Sequence, residues 1–329
     1  MTSRRTFALA VAVLLAAGPA RAADPVSIRL DWFASAYHAP FFYGIERGIY
    51  AEAGIDLSIA EGRGSVQTVQ LVARNENQFG FVAVDSLMRA VGVGMPVISV
   101  ATLMPVMGQA VYVLKSSNIM SLADLKGRTV AVTPGGTNEA MLPGVLATVG
   151  LKESDLKKVS VDASAKVRMF LNGNVDAMIA TGWAHALFES AGGARGFIYS
   201  DFGMKMVGYS LVTNVELTQK NPELVRRFVA ATGKAWAEAM AHPDAAVAAL
   251  AARAKGHDDA AHRSADAVEF AAATAFMGPA VAGAPYGMQS EKDWTATQEA
   301  LQKYGVVKQT LPISRYMTNA YVTPAEPRP

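Results

Sequence analysis

The sequence has 329 residues, of which 51% are hydrophobic, with a formal net charge of +2 and no cysteine. The absence of cysteine excludes disulfide bonds, thiolate metal ligands and a cysteine nucleophile. A chain of this length most often forms two domains.

The first 22 residues have the pattern of a secretory signal peptide. Two arginines at residues 4–5 precede a continuous apolar run at 7–17, and residues 20–22 fit the small-x-small pattern before a cleavage point. The run is too short to span a membrane, and the choice between Sec and twin-arginine export stays open. Without this segment, 27 basic residues stand against 28 acidic ones. We therefore expect an exported protein that does not bind nucleic acid.

After the signal peptide, short apolar strands alternate with helical patterns, which is typical of parallel βα units. We predict strands at 26–30, 55–59, 79–82 and 97–102, with helices at 40–53, 65–74 and 85–93 between them. Ser65 and Asp85 are polar residues at helix starts, where they can cap open amides.

A second set of the same kind follows. One more strand is predicted before this set, at 110–114. The predicted strands of the set are 129–132, 159–161, 177–180 and 196–199, and its predicted helices are 122–126, 139–149 and 163–171. On the last of these helices Val167, Phe170 and Leu171 share one face, and we place Lys166 on another. This set therefore predicts a second α/β lobe.

The remaining chain is extended at 207–213 and then helical. The predicted helices are 222–240, 244–254, 263–275 and 289–304, with Trp236 and Trp294 in their buried faces. We predict lobe I from residues 23–116 and 206–329, lobe II from residues 117–205, and a hinge of two extended crossovers at 111–116 and 207–213. Two lobes joined in this way can close around a ligand.

The strongest candidate cluster follows the first strand. Asp31 offers a hydrogen-bond acceptor beside the flat apolar wall of Trp32, which suits a planar ligand, and His38 lies six residues further on. The alternative is that Trp32 caps the core and His38 bonds a backbone carbonyl. Trp183 occupies the corresponding place in the second lobe, where it either clamps a ligand ring opposite Trp32 or packs in the core.

Two glycine-rich turns precede helices, at residues 62–65 and 135–138. Such turns present free backbone N–H groups to a ligand, and neither has the Gly-Lys-Ser/Thr of a P-loop. His257 and His262 resemble a metal tract, but on a helix their spacing points them apart, so a solvated connection is expected instead. No hydrolase or metalloprotease motif is present, and no catalytic residue, metal or cofactor is predicted.

The motifs Leu30-Asp31-Trp32-Phe33, His38-Ala39-Pro40-Phe41-Phe42 and Gly48 to Ile55 resemble the NMT1/THI5-like group of ABC-transporter substrate-binding proteins. Further matches are Gly64-Ser65, residues 79–85, residues 122–128, Gly173 to Ala177 and Asn221 to Leu224, so the resemblance covers nearly the whole mature chain. Binders of thiamine pyrimidine precursors, riboflavin, nitrate, taurine and alkanesulfonates belong to this group.

The resemblance implies a type II periplasmic-binding-protein fold and a monomer that delivers a small ligand to the membrane subunits of an ABC permease. The expected ligand is a small planar heterocycle or an aromatic or anionic organic molecule. A thiamine-pyrimidine-precursor-like heterocycle is favoured, although Ala34-Ser35 and Phe42 depart from the pyrimidine binders' Pro-Asn and Tyr. The fungal pyrimidine synthases of the group use a cysteine-rich motif, which this chain lacks. An exported enzyme and a ligand-sensing subunit remain as alternatives. The candidate ligand-binding residues are Trp32, His38, Phe42, Gly64, Ser65, Asp85, Gly136, Thr137, Asn138, Trp183 and Tyr209.

Overall fold

The computed structural model describes residues 22–134, 137–184, 188 and 192–322, with the backbone alone for residues 137–138 and 163–164. The predicted signal peptide lies outside these ranges except for its last residue. The strands are β1 Asp24–Arg29, β2 Ile55–Ala60, β3 Phe79–Ala83, β4 Val97–Met104, β5 Gln109–Leu114, β6 Thr129–Val132, β7 Lys157–Ser160, β8 Ala177–Thr181, β9 Ala194–Ile198 and β10 Tyr209–Asn214. Strands β1 to β9 each overlap one of the nine predicted strands, and β10 overlaps the predicted extended segment at 207–213.

Helices cover both sheets and form most of the chain after β10. They are α1 Ala39–Glu46, α2 Ile49–Glu52, α3 Ser65–Ala73, α4 Val84–Gly92, α5 Thr137–Ala147, α6 Ala163–Leu171, α7 Val215–Lys220, α8 Pro222–Ala241, α9 Pro243–Arg253, α10 Ala260–Ala273 and α11 Glu291–Lys303. No helix in the described ranges is both long enough and apolar enough to cross a membrane.

The strands form two five-stranded sheets, which confirms the predicted two-lobed α/β architecture. The first has the order β2-β1-β3-β10-β4, with β10 antiparallel to both of its neighbours. The second has the order β7-β6-β8-β5-β9, with β5 antiparallel to both of its neighbours. Strand β3 is buried along its whole length, because its continuous apolar sequence suits a central strand covered on both faces.

The crossovers between the sheets differ from those predicted. Strand β5 pairs with β8 and β9, so residues 109–114 belong to the second sheet and not to the first. The chain therefore crosses at residues 105–108 and returns at residues 199–208. The two crossings are joined by the Met107 N–H, which donates to the Met206 carbonyl at 2.8 Å. Two linked backbone segments thus join the lobes, but both lie earlier in the chain than the predicted crossovers, because residues 109–114 and 209–214 are strands of the sheets.

Two helical predictions also change. The predicted helix 40–53 is divided into α1 and α2, because Gly48 between them has a φ of +72°, a left-handed conformation that glycine adopts without a steric penalty. Helix α7 was not predicted, and it begins where the Asn214 side chain accepts a hydrogen bond from the backbone N–H of Glu216. Neither change alters the sheet order.

The C-terminal helices complete the core of the first lobe. Trp236 on α8 is fully buried and meets Phe41 on α1 edge to face, with ring centroids 4.5 Å apart. Trp294 on α11 is equally buried. Thr297 on the same helix accepts a hydrogen bond from the backbone N–H of Val207, in the returning crossover, at 2.9 Å. The prediction that Trp236 and Trp294 are core residues is confirmed.

Candidate functional site

A cavity of about 270 Å³ lies between the two lobes. Its lobe I wall comes from the segment after β1, which we call the rim (residues 31–38), and from the starts and ends of neighbouring elements. Its lobe II wall comes from β6, α5, α6 and β8. The lining includes Trp32, Tyr37, Ser65, Tyr209 and Glu269 from lobe I, and Thr133, Glu139, Lys166, Ile179 and Ala184 from lobe II.

Hydrogen bonds within the rim fix the position of the Asp31 carboxylate. It accepts a hydrogen bond from the Tyr37 hydroxyl at 3.1 Å and one from His38 Nε2 at 2.8 Å. The other ring nitrogen of His38, Nδ1, accepts the backbone N–H of Ser35 at 3.3 Å. These partners assign His38 as the neutral tautomer with its proton on Nε2. His38 therefore orients Asp31 from the core, and it neither faces the cavity nor bonds a backbone carbonyl.

The first glycine-rich turn joins the rim to α3. The Gly62 and Gly64 N–H groups donate to the carbonyls of Trp32 and Asp31, at 3.0 and 2.7 Å. The Ser65 hydroxyl accepts a hydrogen bond from the backbone N–H of Ala83 at 3.0 Å, so it links α3 to the end of β3. The N–H groups of Gly62 and Gly64 are therefore bonded to carbonyls of the rim and are not free to bind a ligand. Gly64 and Ser65 line the cavity, together with Trp32 and Tyr209, as candidates from the sequence.

Three other candidates lie away from the cavity lining. Phe42 is a core residue of α1 with 6% exposure. Asp85 is fully buried on α4, and its carboxylate is 3.2 Å from the Arg89 guanidinium. Both positions point to structural roles, because the apolar and charged partners that they contact belong to lobe I itself.

Trp183 is the third of these, and the predicted clamp opposite Trp32 is wrong. Its side chain is fully buried, with ring centroids 4.9 Å from Tyr37 and 5.3 Å from Phe276. These partners belong to lobe I, whereas Trp183 follows β8 of lobe II. The alternative packing role is therefore the one observed, and Ala184 next to it lines the cavity.

The second glycine-rich turn is described only in part. Gly136 lies outside the described residues, and Thr137 and Asn138 begin α5, with only their backbone described. The cavity wall at this junction is formed by Thr133 at the end of β6 and by Glu139 in the first turn of α5.

Lys166 is a cavity residue that the sequence did not reveal. It is 8% exposed, and its Nζ donates a hydrogen bond to the Ile179 carbonyl on β8 at 2.7 Å. Burial lowers the pKa of its amine to about 8, because the charged form loses water. The helical pattern predicted Lys166 on a different face of α6 from Val167 and Phe170. This prediction was wrong, because Lys166 is buried and lines the cleft together with Val167.

Glu269 on α10 is a second missed residue. The residue as a whole is partly exposed, but surrounding protein atoms shield its carboxyl group from water. This desolvation raises the pKa of Glu269 to about 8, and the nearby Asp266 charge raises it further. Burial likewise raises the pKa of Tyr209 well above its usual value, with the Asp31 charge contributing. An amphipathic pattern alone does not reveal which C-terminal helix reaches the cleft.

The cavity is therefore rich in hydrogen-bonding groups, with three carboxyl groups (Asp31, Glu139 and Glu269) and one amine (Lys166). The Thr133 hydroxyl oxygen in its lining is buried without a hydrogen-bond partner among the described residues. Buried polar atoms in native proteins nearly always have a partner. These groups have the capacity to bind a polar ligand.

The histidine tract after α9 is largely exposed, as predicted for a solvated connection, but His257 departs from this prediction. His257 Nδ1 is 2.8 Å from an Asp266 carboxylate oxygen, and His257 Nε2 is 3.1 Å from the Ala34 carbonyl. His262 instead pairs with Asp259 at the start of α10. Among the described residues no group of three or more histidine, aspartate or glutamate side chains lies close enough to hold a metal ion.

Relatives of this chain have names connected with pyrimidine chemistry. A protein named for thiamine biosynthesis in Haemophilus influenzae is 30% identical over 175 residues, which are 53% of this chain and 55% of that protein. This chain thus matches only about half the length of that relative. The formylaminopyrimidine-binding protein of Halalkalibacterium halodurans is 25% identical over 235 residues, or 70% of each chain. A 4-amino-5-hydroxymethyl-2-methylpyrimidine phosphate synthase of Saccharomyces cerevisiae is 26% identical over 234 residues, 67% of this chain and 68% of that one.

Solved structures support the fold. The periplasmic aliphatic sulphonate binding protein SsuA of Escherichia coli superimposes with a TM-score of 0.71 at 17% identity, over 93% of this chain and 94% of that one. This confirms the predicted type II periplasmic-binding-protein fold. The NMT1/THI5-like family model matches residues 35–246, well over half of the chain. The rim motifs, the fold and this match agree, and the chain belongs to the NMT1/THI5-like family.

Proposed function

We propose that this protein is the periplasmic substrate-binding component of an ABC importer and that it closes on a small planar nitrogen heterocycle without changing it chemically. The observation that carries the proposal is the cavity between the lobes, where Trp32 lies beside three carboxyl groups and one amine. Its volume of about 270 Å³ is just below the roughly 300–1,000 Å³ typical of drug-sized ligand sites. A small ligand fits such a space.

The charged groups of the lining favour a ligand that donates hydrogen bonds. Ionised carboxyl groups only accept hydrogen bonds, and Asp31 and Glu139 outnumber Lys166. Glu269, with its pKa raised to about 8, is mainly protonated at neutral pH and can both accept and donate. A ring that carries an amino group offers both the flat face that suits Trp32 and the N–H donors that suit carboxyl oxygens. The formylaminopyrimidine named in one relative has this chemistry.

The same groups disfavour a sulfonate, the ligand named for the structural neighbour. A sulfonate is a permanent anion, and like charges placed side by side cost several kcal/mol. We therefore expect 4-amino-5-hydroxymethyl-2-methylpyrimidine, but not taurine, to raise the melting temperature of the purified mature protein, since a ligand bound only by the native state stabilises it. Mass spectrometry of small molecules that co-purify with the protein provides an independent identification. Stabilisation by taurine alone would contradict the proposed ligand class.

Replacing Trp32 by alanine tests the stacking surface. We expect Kd for the bound heterocycle to rise about 5- to 150-fold, because stacking of a base on an aromatic side chain is worth about 1–3 kcal/mol. Isothermal titration calorimetry measures this change. Trp32→Phe is the matched control, since it keeps a ring at the same place and is expected to retain most of the affinity. Equal affinities for the wild type and Trp32→Ala would show that the ring does not contact the ligand.

An exported enzyme acting on a similar molecule is the second candidate. The pKa values of Lys166 and Glu269 both lie near 8, and such shifted groups occur often at catalytic sites. One relative is also named as a synthase. The candidates differ in the fate of the ligand: a binding protein releases the heterocycle chemically unchanged after denaturation, whereas an enzyme yields a product. Neighbouring genes for a permease and an ATPase would favour import over a sensing role.

A further inference from the structure

His257 connects the C-terminal helices to the rim. It lies between α9 and α10 with its side chain only 14% exposed. One ring nitrogen is 2.8 Å from the Asp266 carboxylate and the other is 3.1 Å from the Ala34 carbonyl. A carbonyl oxygen and an ionised carboxylate both accept hydrogen bonds and cannot donate them. Both ring nitrogens must therefore carry a proton when both bonds form, so the bonded state of His257 is the imidazolium cation.

The bond to Ala34 acts directly on the cavity wall. Ala34 lies in the middle of the rim, and its neighbours Phe33 and Ser35 line the cavity together with Trp32. The backbone N–H of Ala34 is also bonded, to the Glu61 side chain at 3.1 Å. Losing the bond on the carbonyl side removes one attachment of the rim to the α10 region, while its other attachments remain, including the hydrogen bond between Ser35 and Glu269 on α10.

We propose that His257 is a protonation-dependent tie that holds the rim against α10, so that the cleft binds its ligand less tightly as the pH rises. The inference rests on the proposed function for its ligand, but the tie itself involves only residues of this chain. It assigns to His257 a positioning role, since its contacts are with Ala34 and Asp266 and not with the cavity.

The charged neighbours of His257 set the direction of the effect. Asp266 and Glu269 face it from α10, and the hydrogen bond to Asp266, followed by the Asp266 charge, raises its pKa above the ordinary 6.5 against an opposing contribution from burial. In the rim, Asp31, Tyr37 and His38 are bonded to one another. At the end of α9, Arg253 pairs with Glu46.

A raised histidine pKa stabilises the folded state fully below the unfolded value near 6.5, and this stabilisation is lost as the pH rises through the folded-state pKa. The rim is therefore tied at pH 6 and released at alkaline pH. Glu269, whose pKa is raised to about 8, also loses its proton as the pH rises, so the test must separate the two groups.

Amide hydrogen exchange of the rim tests the tie without any ligand. We expect protection factors for residues 33–38 of the mature protein, corrected for intrinsic exchange, to fall about tenfold or more from pH 6 to pH 9, the size expected for losing one hydrogen bond to a charged group. Glu269→Gln should retain this pH profile, and His257→Gln should show low protection at every pH. His262→Gln is the matched control, because His262 also pairs with an aspartate but is 59% exposed and away from the rim.

Two results would overturn the tie: a wild-type rim whose protection does not change with pH, or a His257→Gln variant with the wild-type profile. An NMR titration of the wild-type histidine rings adds a check that no variant can disturb, and a His257 pKa at or below 6.5 would also reject it.

Calorimetry with 4-amino-5-hydroxymethyl-2-methylpyrimidine as the probe then measures the effect on binding. The probe's Kd should rise with pH more steeply in the wild type than in His257→Gln, and equal slopes would reject the link to affinity. Failure of the probe to bind at any pH would contradict the proposed ligand. The hydrogen-exchange experiment, which needs no ligand, would still test whether His257 holds the rim.

Discussion

Trp183→Ala is expected to lower the free energy of unfolding by about 3–5 kcal/mol, the range for truncating a large buried aromatic side chain. The ring is fully buried against Tyr37 and Phe276, so its removal leaves a cavity between a lobe II strand and the lobe I core. Urea denaturation followed by circular dichroism measures the change. The same variant should also separate the lobes, because Trp183 is the aromatic residue of lobe II that packs in the lobe I core.

Trp236→Ala provides the matched control for Trp183→Ala. Trp236 is equally buried, but its ring partners Phe41 and Phe81 are in its own lobe. We expect a similar loss of stability with no change in the radius of gyration from small-angle X-ray scattering, whereas Trp183→Ala should increase that radius. A Trp183→Ala protein within about 1 kcal/mol of the wild type would contradict the packing described for this residue.

Gly62→Ala should have the second large effect, on both stability and the binding rim. A Cβ at Gly62 would overlap the Leu30 carbonyl oxygen and lie 2.9 Å from the carbonyl carbon of Asp31 and from Thr68 Oγ1. Two of these three atoms are backbone and cannot rotate away. Overpacking of this kind costs about 1–3 kcal/mol, occasionally more. It would also push apart Thr68 and Leu30, whose hydrogen bond is 2.7 Å long, and displace the strand end that carries Trp32.

The experiment for Gly62→Ala compares urea unfolding and heterocycle affinity in the wild type and the variant. Gly92→Ala is the control, because no atom lies within 4 Å of a Cβ at this position at the end of α4. There the change should be neutral, or stabilising by up to about 1 kcal/mol through the better helix propensity of alanine. If Gly62→Ala keeps the stability and the affinity of the wild type, the turn can shift away from the rim without cost, which would contradict this prediction.

The sheets could be predicted from the sequence because each strand is a short apolar run bounded by polar residues, and alternation with helices favours parallel pairing. What could not be predicted was the sheet to which β5 belongs. Its apolar residues fit either lobe equally well, and only its pairing with β8 and β9 decides between them. The break at Gly48 was missed for a similar reason, since a single glycine within a helical pattern is often tolerated.

The candidate site was predicted in part, and there is a physical reason why some of its residues were found and others were missed. Trp32, Ser65 and Tyr209 line the cavity, and the sequence marks the first two by their place at a strand-to-helix junction. Lys166 and Glu269 were missed because a charged residue on an amphipathic helix is ordinarily expected on the solvent-exposed face. His38 was placed in the site by proximity in sequence, whereas its bonds direct it towards Asp31.

The position of β10 has a consequence for the order in which the protein folds. All five strands of the second sheet lie within residues 109–198, so that sheet can form from one continuous segment. The first sheet needs β10 between β3 and β4, and β3 lies about 130 residues earlier in the chain. Contacts between such distant segments form slowly, because a long loop must close first. We expect lobe II to fold before lobe I. The edges of β3 and β4 that pair with β10 stay without their hydrogen-bond partners until residues 209–214 join the sheet.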